Sequence, residues 1–188
     1  MTNNDPCDPG SLQGPGIRLR PVGIVRNRIA EPILVAQGGD LSMHEDFAGD
    51  RARIQSTHEE VSEIRIDEEL ADILDGVEGY SHLMVLFWGN RVTDEGRTLT
   101  KVHPMGRKDF PLVGIFATRS PARPNPVLMT VVRLLERRGT VLEVTGLDAV
   151  DGSPVIDIKP YVREFYPEKD VLIPGWMQRI VNETREPE

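Results

Sequence analysis

The spacing of apolar and polar positions predicts a chain built mostly of short β-strands. Apolar residues alternate loosely over Ile17–Val25, and again over Arg51–Gln55 and Glu63–Ile66, as is typical of strands with one buried face. Ser81–Trp88 is almost continuously apolar and is bounded by glycines, so we expect a strand that is buried on both faces. These four segments alone favour a β-rich fold.

The second half of the chain continues the pattern. Leu112–Ala117 and Val155–Ile158 have the composition of strands, and Val127–Leu135 with Thr140–Thr145 predicts a hairpin across Glu136–Gly139. The count is about seven strands joined by short turns, which favours antiparallel pairing. A small antiparallel β-barrel, closed or nearly closed, would remove the exposed sheet edges.

The fold class expected is mostly β with one or two short helices, and one helix is clearly predicted. Asp67–Asp75 begins with a residue suited to the N-cap and has an apolar stripe at helical spacing. The stripe consists of Leu70, Ile73, Leu74 and Val77. Asn27–Gly49 shows no clear period and is predicted to be a long connection, of the kind that is functional or mobile.

The 188 residues suit one domain, and 39% hydrophobic residues allow a sizeable core. We expect a mobile leader over 1–16, the barrel over 17–175 and a C-terminal tail over 176–188, with Asn182–Glu188 frayed. No apolar stretch approaches the roughly 20 residues of a membrane helix, and the N-terminus lacks a signal pattern. A soluble, cytoplasmic protein is therefore expected.

Several kinds of chemistry are excluded by the residues themselves. A single cysteine, Cys7, rules out an internal disulfide and a thiolate metal cluster. The four histidines are scattered without helical pairing, so we expect no metal site; they are His44, His58, His82 and His103. No Gly-x-Gly-x-x-Gly follows a predicted strand, so a doubly wound nucleotide-binding domain is not supported.

Charge is distributed unevenly. The chain carries 22 basic and 30 acidic side chains, a net charge of −8, which argues against a general polyanion binder. The segment Arg97–Arg138 is the exception, with nine basic residues and two acidic ones. Two interpretations are open for this basic block: a solvated face, or a surface that meets an anionic partner.

One segment of the basic block is unusual on physical grounds. Phe116–Pro126 contains three prolines within six residues, which restrict the backbone before anything binds. A rigid loop of this kind presents the donors Arg119, Arg123 and Asn125 at a low ordering cost. The alternative interpretation is a stiff crossover between strands, with arginines that are merely solvated.

A second segment, Gly146–Tyr161, combines a tight turn with a charged strand. The turn Asp151–Pro154 exposes backbone donors and a carboxylate. Asp157 and Lys159 lie two residues apart, so they share one strand face and could form an ion pair or point into a barrel mouth.

Phe116–Pro126 and Asp148–Tyr161 together closely resemble the TsaA-like family. Its named members are TrmO-type tRNA methyltransferases, which act on N6-threonylcarbamoyladenosine beside the anticodon. Pro21–Val25 and Gly79–Leu83 fit the same pattern in the same order, so the resemblance covers about 19–162. It implies a small β-barrel, a homodimer, and S-adenosylmethionine bound near the subunit interface.

The resemblance also implies a set of cofactor-binding residues. They are Gln37, Asn90, Arg91, Arg119, Met129, Asp151, Gly152, Ser153 and Pro154. Leu128 stands where the family usually has glycine, so the backbone or the pocket wall is expected to differ there. Asp151 and Asp157 are candidate general bases, with Tyr80 or Tyr161 assisting, and the sequence leaves the choice open.

The favoured hypothesis is an S-adenosylmethionine-dependent tRNA methyltransferase, with part of the basic block on the anticodon-loop phosphates. The residues predicted to contact RNA are Lys101, Arg107, Lys108 and Arg123. Two alternatives remain at this point: methylation of a small molecule or another nucleotide by the same barrel, and a non-catalytic module that binds S-adenosylmethionine.

Overall fold

The computed structural model describes residues 17–44 and 59–184. Ten strands lie within these residues: β1 (Gly23–Arg26), β2 (Leu34–Gln37), β3 (Asp40–Met43), β4 (Val61–Ile66), β5 (His82–Trp88), β6 (Lys101–Val102), β7 (Val113–Gly114), β8 (Val127–Arg138), β9 (Val141–Thr145) and β10 (Pro154–Pro160). The helices are α1 (Asp94–Thr98) and α2 (Gly175–Thr184), with 3₁₀ turns at Glu68–Leu74, Val77–Gly79, Pro104–Gly106, Ile115–Ala117 and Arg163–Phe165.

Six strands close an antiparallel barrel in the order β1-β10-β5-β8-β9-β4, with β4 returning to β1. Alternate residues of β5 face the barrel interior: Leu83, Val85 and Phe87 are 0–2% exposed and belong to the core cluster. The strand β8 is long enough to pair with β5 through its first half and with β9 through its second half. The predicted small antiparallel barrel is therefore confirmed.

The barrel core is one cluster of buried apolar residues. Its members are Val25, Ile64, Ile66, Leu74, Leu83, Val85, Phe87, Val132, Leu142, Val144, Leu147, Ala149 and Val155. Leu128 packs against this cluster, and its Cδ1 lies 3.2 Å from the position that a Cβ on Gly89 would occupy. The side chain that replaces the family's usual glycine is thus accommodated because residue 89 has none.

Outside the barrel lies a smaller assembly, here called the second layer: the β2–β3 hairpin, α1, the β6–β7 pair and the loop Phe116–Pro126. It has its own buried cluster, formed by Leu41, Leu99, Val102, Ile115 and Ala122, with Ala36 packed against it. The predicted long connection over Asn27–Gly49 is wrong where the hairpin stands. Gly38 and Gly39 form its two-residue turn with φ of 62° and 79°, a conformation that glycine adopts at little cost.

The other differences concern element types and ends. The strand predicted over Ile17–Val25 is β1 alone, and that predicted over Leu112–Ala117 is only the two residues of β7 before a 3₁₀ turn. The predicted helix Asp67–Asp75 is a 3₁₀ segment, and Asp67 makes no side-chain capping hydrogen bond to it within the described residues. Of its expected stripe, Leu74 is buried, whereas Ile73 is 59% exposed.

The predicted β8–β9 hairpin is confirmed, but β8 runs on to Arg138 and the turn shortens to Gly139–Thr140. A β-bulge between Leu134 and Glu136 shifts the register of β8 against β9, and the pairing continues beyond it to Arg138. At the C-terminus, α2 occupies residues that we expected to begin a tail. Arg51–Gln55, the leader 1–16 with Cys7, and His58 lie outside the described residues.

Within the described residues, no helix combines the length and the apolar character needed to cross a membrane.

Candidate cofactor site

Three barrel strands meet at one end of the molecule, here called the motif end. There β5 finishes at Trp88, which pairs with Val127 at the start of β8. On its other side β5 pairs with the start of β10, through Phe87 and Val155. Because neighbouring antiparallel strands run in opposite directions, the end of one strand lies beside the start of the next. Residues that follow β5 therefore lie beside residues that begin β8 and β10. Segments far apart in the sequence are thereby brought together.

Asn90 links the end of β5 to the turn before β10. Its Nδ2 donates to the Gly152 carbonyl at 3.3 Å, and the Ser153 hydroxyl lies 3.5 Å from its Oδ1. Ser153 is 1% exposed, whereas Asn90 is exposed and keeps hydrogen-bonding capacity toward solvent. The predicted cofactor residues Asn90, Gly152 and Ser153 therefore lie in mutual contact.

The turn Asp151–Pro154 is held from the side of β1. The Asp151 backbone NH donates to the Ile29 carbonyl at 2.8 Å, and its carboxylate accepts from the Asn27 NH at 3.1 Å. The same carboxylate lies 3.5 Å from a guanidinium nitrogen of Arg26. The turn is therefore anchored before any ligand arrives, and the Asp151 carboxylate already has partners.

Arg119 reaches the same end of the barrel from the proline-bounded loop. Its Nη2 donates to the Met129 carbonyl, on the third residue of β8, at 2.8 Å. The loop is seated through Ala122, which is 3% exposed. A Cβ on Gly96 of α1 would lie 3.3 Å from the Ala36 Cβ and 3.5 Å from the Ala122 Cβ, so glycine permits this close packing.

Arg123 is turned toward its own loop. Its Nε donates to the Ser120 carbonyl at 2.8 Å, and its Nη2 donates to the Thr118 carbonyl at 3.0 Å. Burial lowers the pKa of the Arg123 guanidinium, and the positive charge of Arg119 lowers it further. Neither arginine has a carboxylate partner among the described residues, so within that part of the chain no carboxylate neutralises their charges.

The other predicted site residues are placed less directly. Arg91 follows Asn90 and is exposed. Gln37 lies at the end of β2, where its Oε1 accepts from the Ser42 hydroxyl at 3.0 Å within the hairpin. Tyr161 lies at the opposite end of β5 from Asn90, since its NH donates to the His82 carbonyl, and Tyr80 also precedes that end. The two tyrosines are thus not brought to the motif end within one chain.

Asp157 forms the ion pair that its spacing from Lys159 allowed, with Oδ2 2.6 Å from the Lys159 Nζ. Its other oxygen accepts from the Ile158 NH at 2.9 Å. The hydrogen bond and charge of Asp157 raise the pKa of Lys159. Leu86 separates Asp157 from Met129 across the sheet, so this carboxylate lies one strand away from the Arg119 contact.

The basic block is only partly available to an anionic partner. Arg107, Lys108, Arg137 and Arg138 have carboxylate partners, and Arg97 lies over the ring of Trp88 at 5.6 Å from its centroid. For Lys101 and Arg133, the described part of the chain supplies no partner, and both are exposed. Of the four residues predicted to contact RNA, Lys101 and Arg123 have no carboxylate partner among the described residues, and Arg123 donates to two loop carbonyls.

One group that positions the second layer is not predicted from the sequence. Asp40, only 13% exposed at its side chain, accepts from the His103 NH at 2.8 Å and pairs with Lys108. The His103 Nδ1 lies 2.6 Å from its second oxygen. Burial by itself would raise the pKa of Asp40, but the hydrogen bonds from Lys108 and His103 outweigh it and hold that pKa well below its usual range. The sequence signal that could have indicated it is the Gly38-Gly39 pair, which is typical of a tight turn and places Asp40 at the start of the strand that follows.

A cavity of about 610 Å³ opens between β1, β4 and β9, and two of its lining residues, Arg26 and Asn27, also contact Asp151. Its lining carries four carboxylates against two guanidinium groups, so it would repel a polyanion. The lining residues are Arg26, Asn27, Arg28, Glu59, Glu60, Val61, Glu63 and Glu143. No group of three metal-binding side chains occurs within 17–44 and 59–184. The motif end is the better candidate because the predicted cofactor residues meet there, whereas none of them lines this cavity.

The residues at the motif end fit a ligand such as S-adenosylmethionine by their donor chemistry. Arg119 has donors and an unneutralised charge, which suit a carboxylate. The expectation that the turn exposes backbone donors is wrong, because the NH groups of Asp151, Gly152 and Ser153 already donate to other carbonyls of the chain. Asn90 and the carbonyl oxygens of the turn can still hydrogen-bond to a polar heterocycle or ribose. A Cβ placed on Gly152 would meet no other part of the described chain within 4 Å, so there is open space over the turn for a ligand.

The tRNA-methyltransferase O N-terminal domain model matches residues 47–166. A "Probable S-adenosyl-L-methionine-binding protein" of Methanothermobacter thermautotrophicus is 42% identical over 148 residues, which cover 79% of this chain and 92% of that protein. The "tRNA (adenine(37)-N6)-methyltransferase" of Escherichia coli is 43% identical over 96 residues, which cover 49% of this chain and 40% of the enzyme.

Among solved structures, TrmO from Pseudomonas aeruginosa aligns with a TM-score of 0.59 at 23% identity, over 85% of this chain and 62% of that one. At that identity the likeness shows the fold. This chain thus spans nearly all of the archaeal relative but less than two thirds of the two bacterial proteins.

Proposed function

Because the chain belongs to the tRNA-methyltransferase O N-terminal domain family, we propose that it is an S-adenosylmethionine-dependent methyltransferase. The observation that carries the proposal is the meeting of the motif residues at one end of the barrel. Asn90 contacts the Gly152 carbonyl and the Ser153 hydroxyl, while Arg119 contacts the Met129 carbonyl, on strands that pair through β5. Relatives named for S-adenosylmethionine binding support the cofactor.

Each residue has a binding role in this proposal. Arg119 binds the cofactor carboxylate by a charge-assisted hydrogen bond, and Met129 lines the site beside it. Asn90 and the turn Asp151–Pro154 bind the polar edge of the nucleoside. When bound, S-adenosylmethionine supplies a methyl group carried on a positively charged sulfur. Holding the acceptor in line with that group contributes roughly 7–11 kcal/mol to lowering the barrier.

The acceptor we propose is N6 of threonylcarbamoyladenosine next to the tRNA anticodon, as the family resemblance implies and the Escherichia coli enzyme's name supports at the level of adenine 37. That nitrogen must lose a proton during the reaction. Asp151 and Asp157 both have partners in this structure, so we assign proton removal to neither. A tRNA substrate would place the reaction in the cytoplasm.

A homodimer is part of the proposal, because the resemblance implies a cofactor site near a subunit interface. Sedimentation equilibrium should give a mass near twice 21.0 kDa at micromolar protein. A mass near 21.0 kDa under those conditions would remove the dimer from the proposal without affecting the barrel site.

The experiment that tests the activity is incubation with methyl-labelled S-adenosylmethionine and total tRNA, followed by digestion to nucleosides. Label on threonylcarbamoyladenosine is expected, and matched tRNA that lacks the threonylcarbamoyl group should remain unlabelled. Cofactor binding without any transfer would favour a non-catalytic module. Label on small molecules of a cell extract, with none on tRNA, would favour the small-molecule alternative.

A further inference from the structure

Arg123 lies in the proline-bounded loop but does not point away from it. Its guanidinium donates to the carbonyls of Thr118 and Ser120, at 3.0 and 2.8 Å. These two residues are the immediate neighbours of Arg119 in the chain. A planar guanidinium presents its donors in a fixed fork, so a single side chain holds the backbone on both sides of Arg119.

Further hydrogen bonds hold the rest of the loop in place. The Thr118 hydroxyl donates to the Ile115 carbonyl at 2.8 Å and accepts from the Ser120 NH at 3.2 Å. The Ala122 NH donates to the Ser120 hydroxyl at 3.2 Å, and Ala122 is buried in the second layer. These bonds fix the conformation of the loop, and Ile115 and Ala122 at its two sides are buried in the second-layer cluster, whereas Arg119 reaches across to the barrel. The Arg123 guanidinium hydrogen-bonds to the residues on both sides of Arg119, which is the residue that reaches the barrel.

Placing Arg123 here has an electrostatic cost. The group is half-buried, and the charge of Arg119 repels it. Both effects lower the pKa of the Arg123 guanidinium. Two hydrogen bonds to carbonyls offset that cost but do not neutralise the charge. A lysine would carry the same charge without the planar fork, so the role predicted from this geometry depends on shape as well as on charge.

We infer that Arg123 is a positioning residue for cofactor binding, which fixes the backbone around Arg119 so that its guanidinium meets the cofactor carboxylate in one orientation. This inference rests on the proposed function. It replaces the expectation that Arg123 contacts RNA, because two of its donors are used within the loop. Preorganisation of this kind increases affinity by removing an ordering cost at the moment of binding.

The test compares S-adenosylmethionine affinity by calorimetry in Arg123→Met, Arg123→Lys, Arg119→Ala and the double variant Arg119→Ala/Arg123→Met. Arg123→Met should weaken binding by about 5- to 20-fold. Arg123→Lys should recover part of that loss. In the Arg119→Ala background, Arg123→Met should change the affinity by less than about twofold, because its effect passes through Arg119.

A matched control is Arg65→Met, on β4, which removes an exposed guanidinium paired with Glu63 and should leave S-adenosylmethionine affinity unchanged. Equal S-adenosylmethionine affinity in wild type and Arg123→Met would overturn this inference alone. So would a double variant whose loss of affinity equals the product of the two single-variant losses. Loss of tRNA affinity with unchanged cofactor affinity would do the same, by making Arg123 an RNA contact. If Arg123→Met does not fold, wild-type affinity in Arg123→Lys would overturn it. A wild type that binds no cofactor would overturn the proposed function as well.

Discussion

Among the described residues, the barrel buries thirteen hydrophobic residues in one cluster, whereas the second layer buries five. The barrel's strands form a closed ring of backbone hydrogen bonds, while the second layer is held by a short hairpin, a two-residue strand pair and the Asp40 contacts to His103 and Lys108. The candidate site takes residues from both, with Asn90 and Met129 from the barrel and Arg119 from the second layer. Its stability therefore depends on the weaker of the two regions.

The largest expected effect is on the barrel core. Phe87 is 2% exposed, so Phe87→Ala should lower the free energy of unfolding by about 3–5 kcal/mol, from lost burial and the remaining cavity. Denaturant unfolding measures it. The control Leu135→Ala, at a residue that is 47% exposed, should change the value by less than about 0.5 kcal/mol. A Phe87→Ala cost below about 1 kcal/mol would mean that the cluster is not packed as described.

The second effect separates the two regions. Leu99→Ala should cost about 2–3 kcal/mol, mostly by opening the second layer while the barrel remains closed. Hydrogen exchange should accelerate in β2, β3, β6 and β7 but not in β5 or β8, and cofactor affinity should fall because Ala122 packs in the same cluster. Equal acceleration across all these strands would show one cooperative unit instead of two regions.

A smaller, pH-dependent effect is expected at Asp40. Its pKa is lower in the folded protein than in the unfolded chain, so its stabilisation is fully present above about pH 4 and is lost as pH falls through the folded pKa. Asp40→Asn should therefore cost about 1–3 kcal/mol at pH 7, and the difference from wild type should shrink below about pH 4. Melting temperatures from pH 3 to 7 measure this difference.

The control at this level is Glu63→Gln, which removes one partner of the exposed Arg65 pair and should cost at most about 1 kcal/mol across the same range. An Asp40→Asn difference that grew toward low pH would have the wrong sign for a depressed carboxyl pKa. It would contradict the account of Asp40 as an ion-paired anchor.

The same division explains what could be predicted from the sequence. The barrel strands follow from apolar alternation, which is a local signal, and β5 and the β8–β9 hairpin were found within a few residues. The β2–β3 hairpin was missed because its strands are half-buried and buried chiefly against distant segments, so no strong period marks them. The 3₁₀ geometry of Glu68–Leu74 was also missed, since helical spacing over seven residues does not distinguish 3₁₀ from α.

For the candidate site, motif resemblance identified Asn90, Arg119 and the turn before β10, and the structure brings them to one end of the barrel. Resemblance did not reveal which donors were already used. Arg123 and Lys108 are cationic in the sequence, but both have partners in the structure. Arg123 donates to the carbonyls of Ser120 and Thr118 in its own loop, and the conformation of that loop sets these contacts. The partner of Lys108 is Asp40, which is distant in the sequence and which only folding brings near.

We propose that Arg119 binds S-adenosylmethionine where the barrel and the second layer meet. Calorimetric titration of wild type and Arg119→Ala tests it most directly, with Arg65→Ala as the matched arginine control and circular dichroism to check the fold. We expect wild type and control to bind alike and Arg119→Ala to bind more weakly by about 1.5–3 kcal/mol, which is roughly 10- to 150-fold. Unchanged affinity in a folded Arg119→Ala protein would contradict the claim.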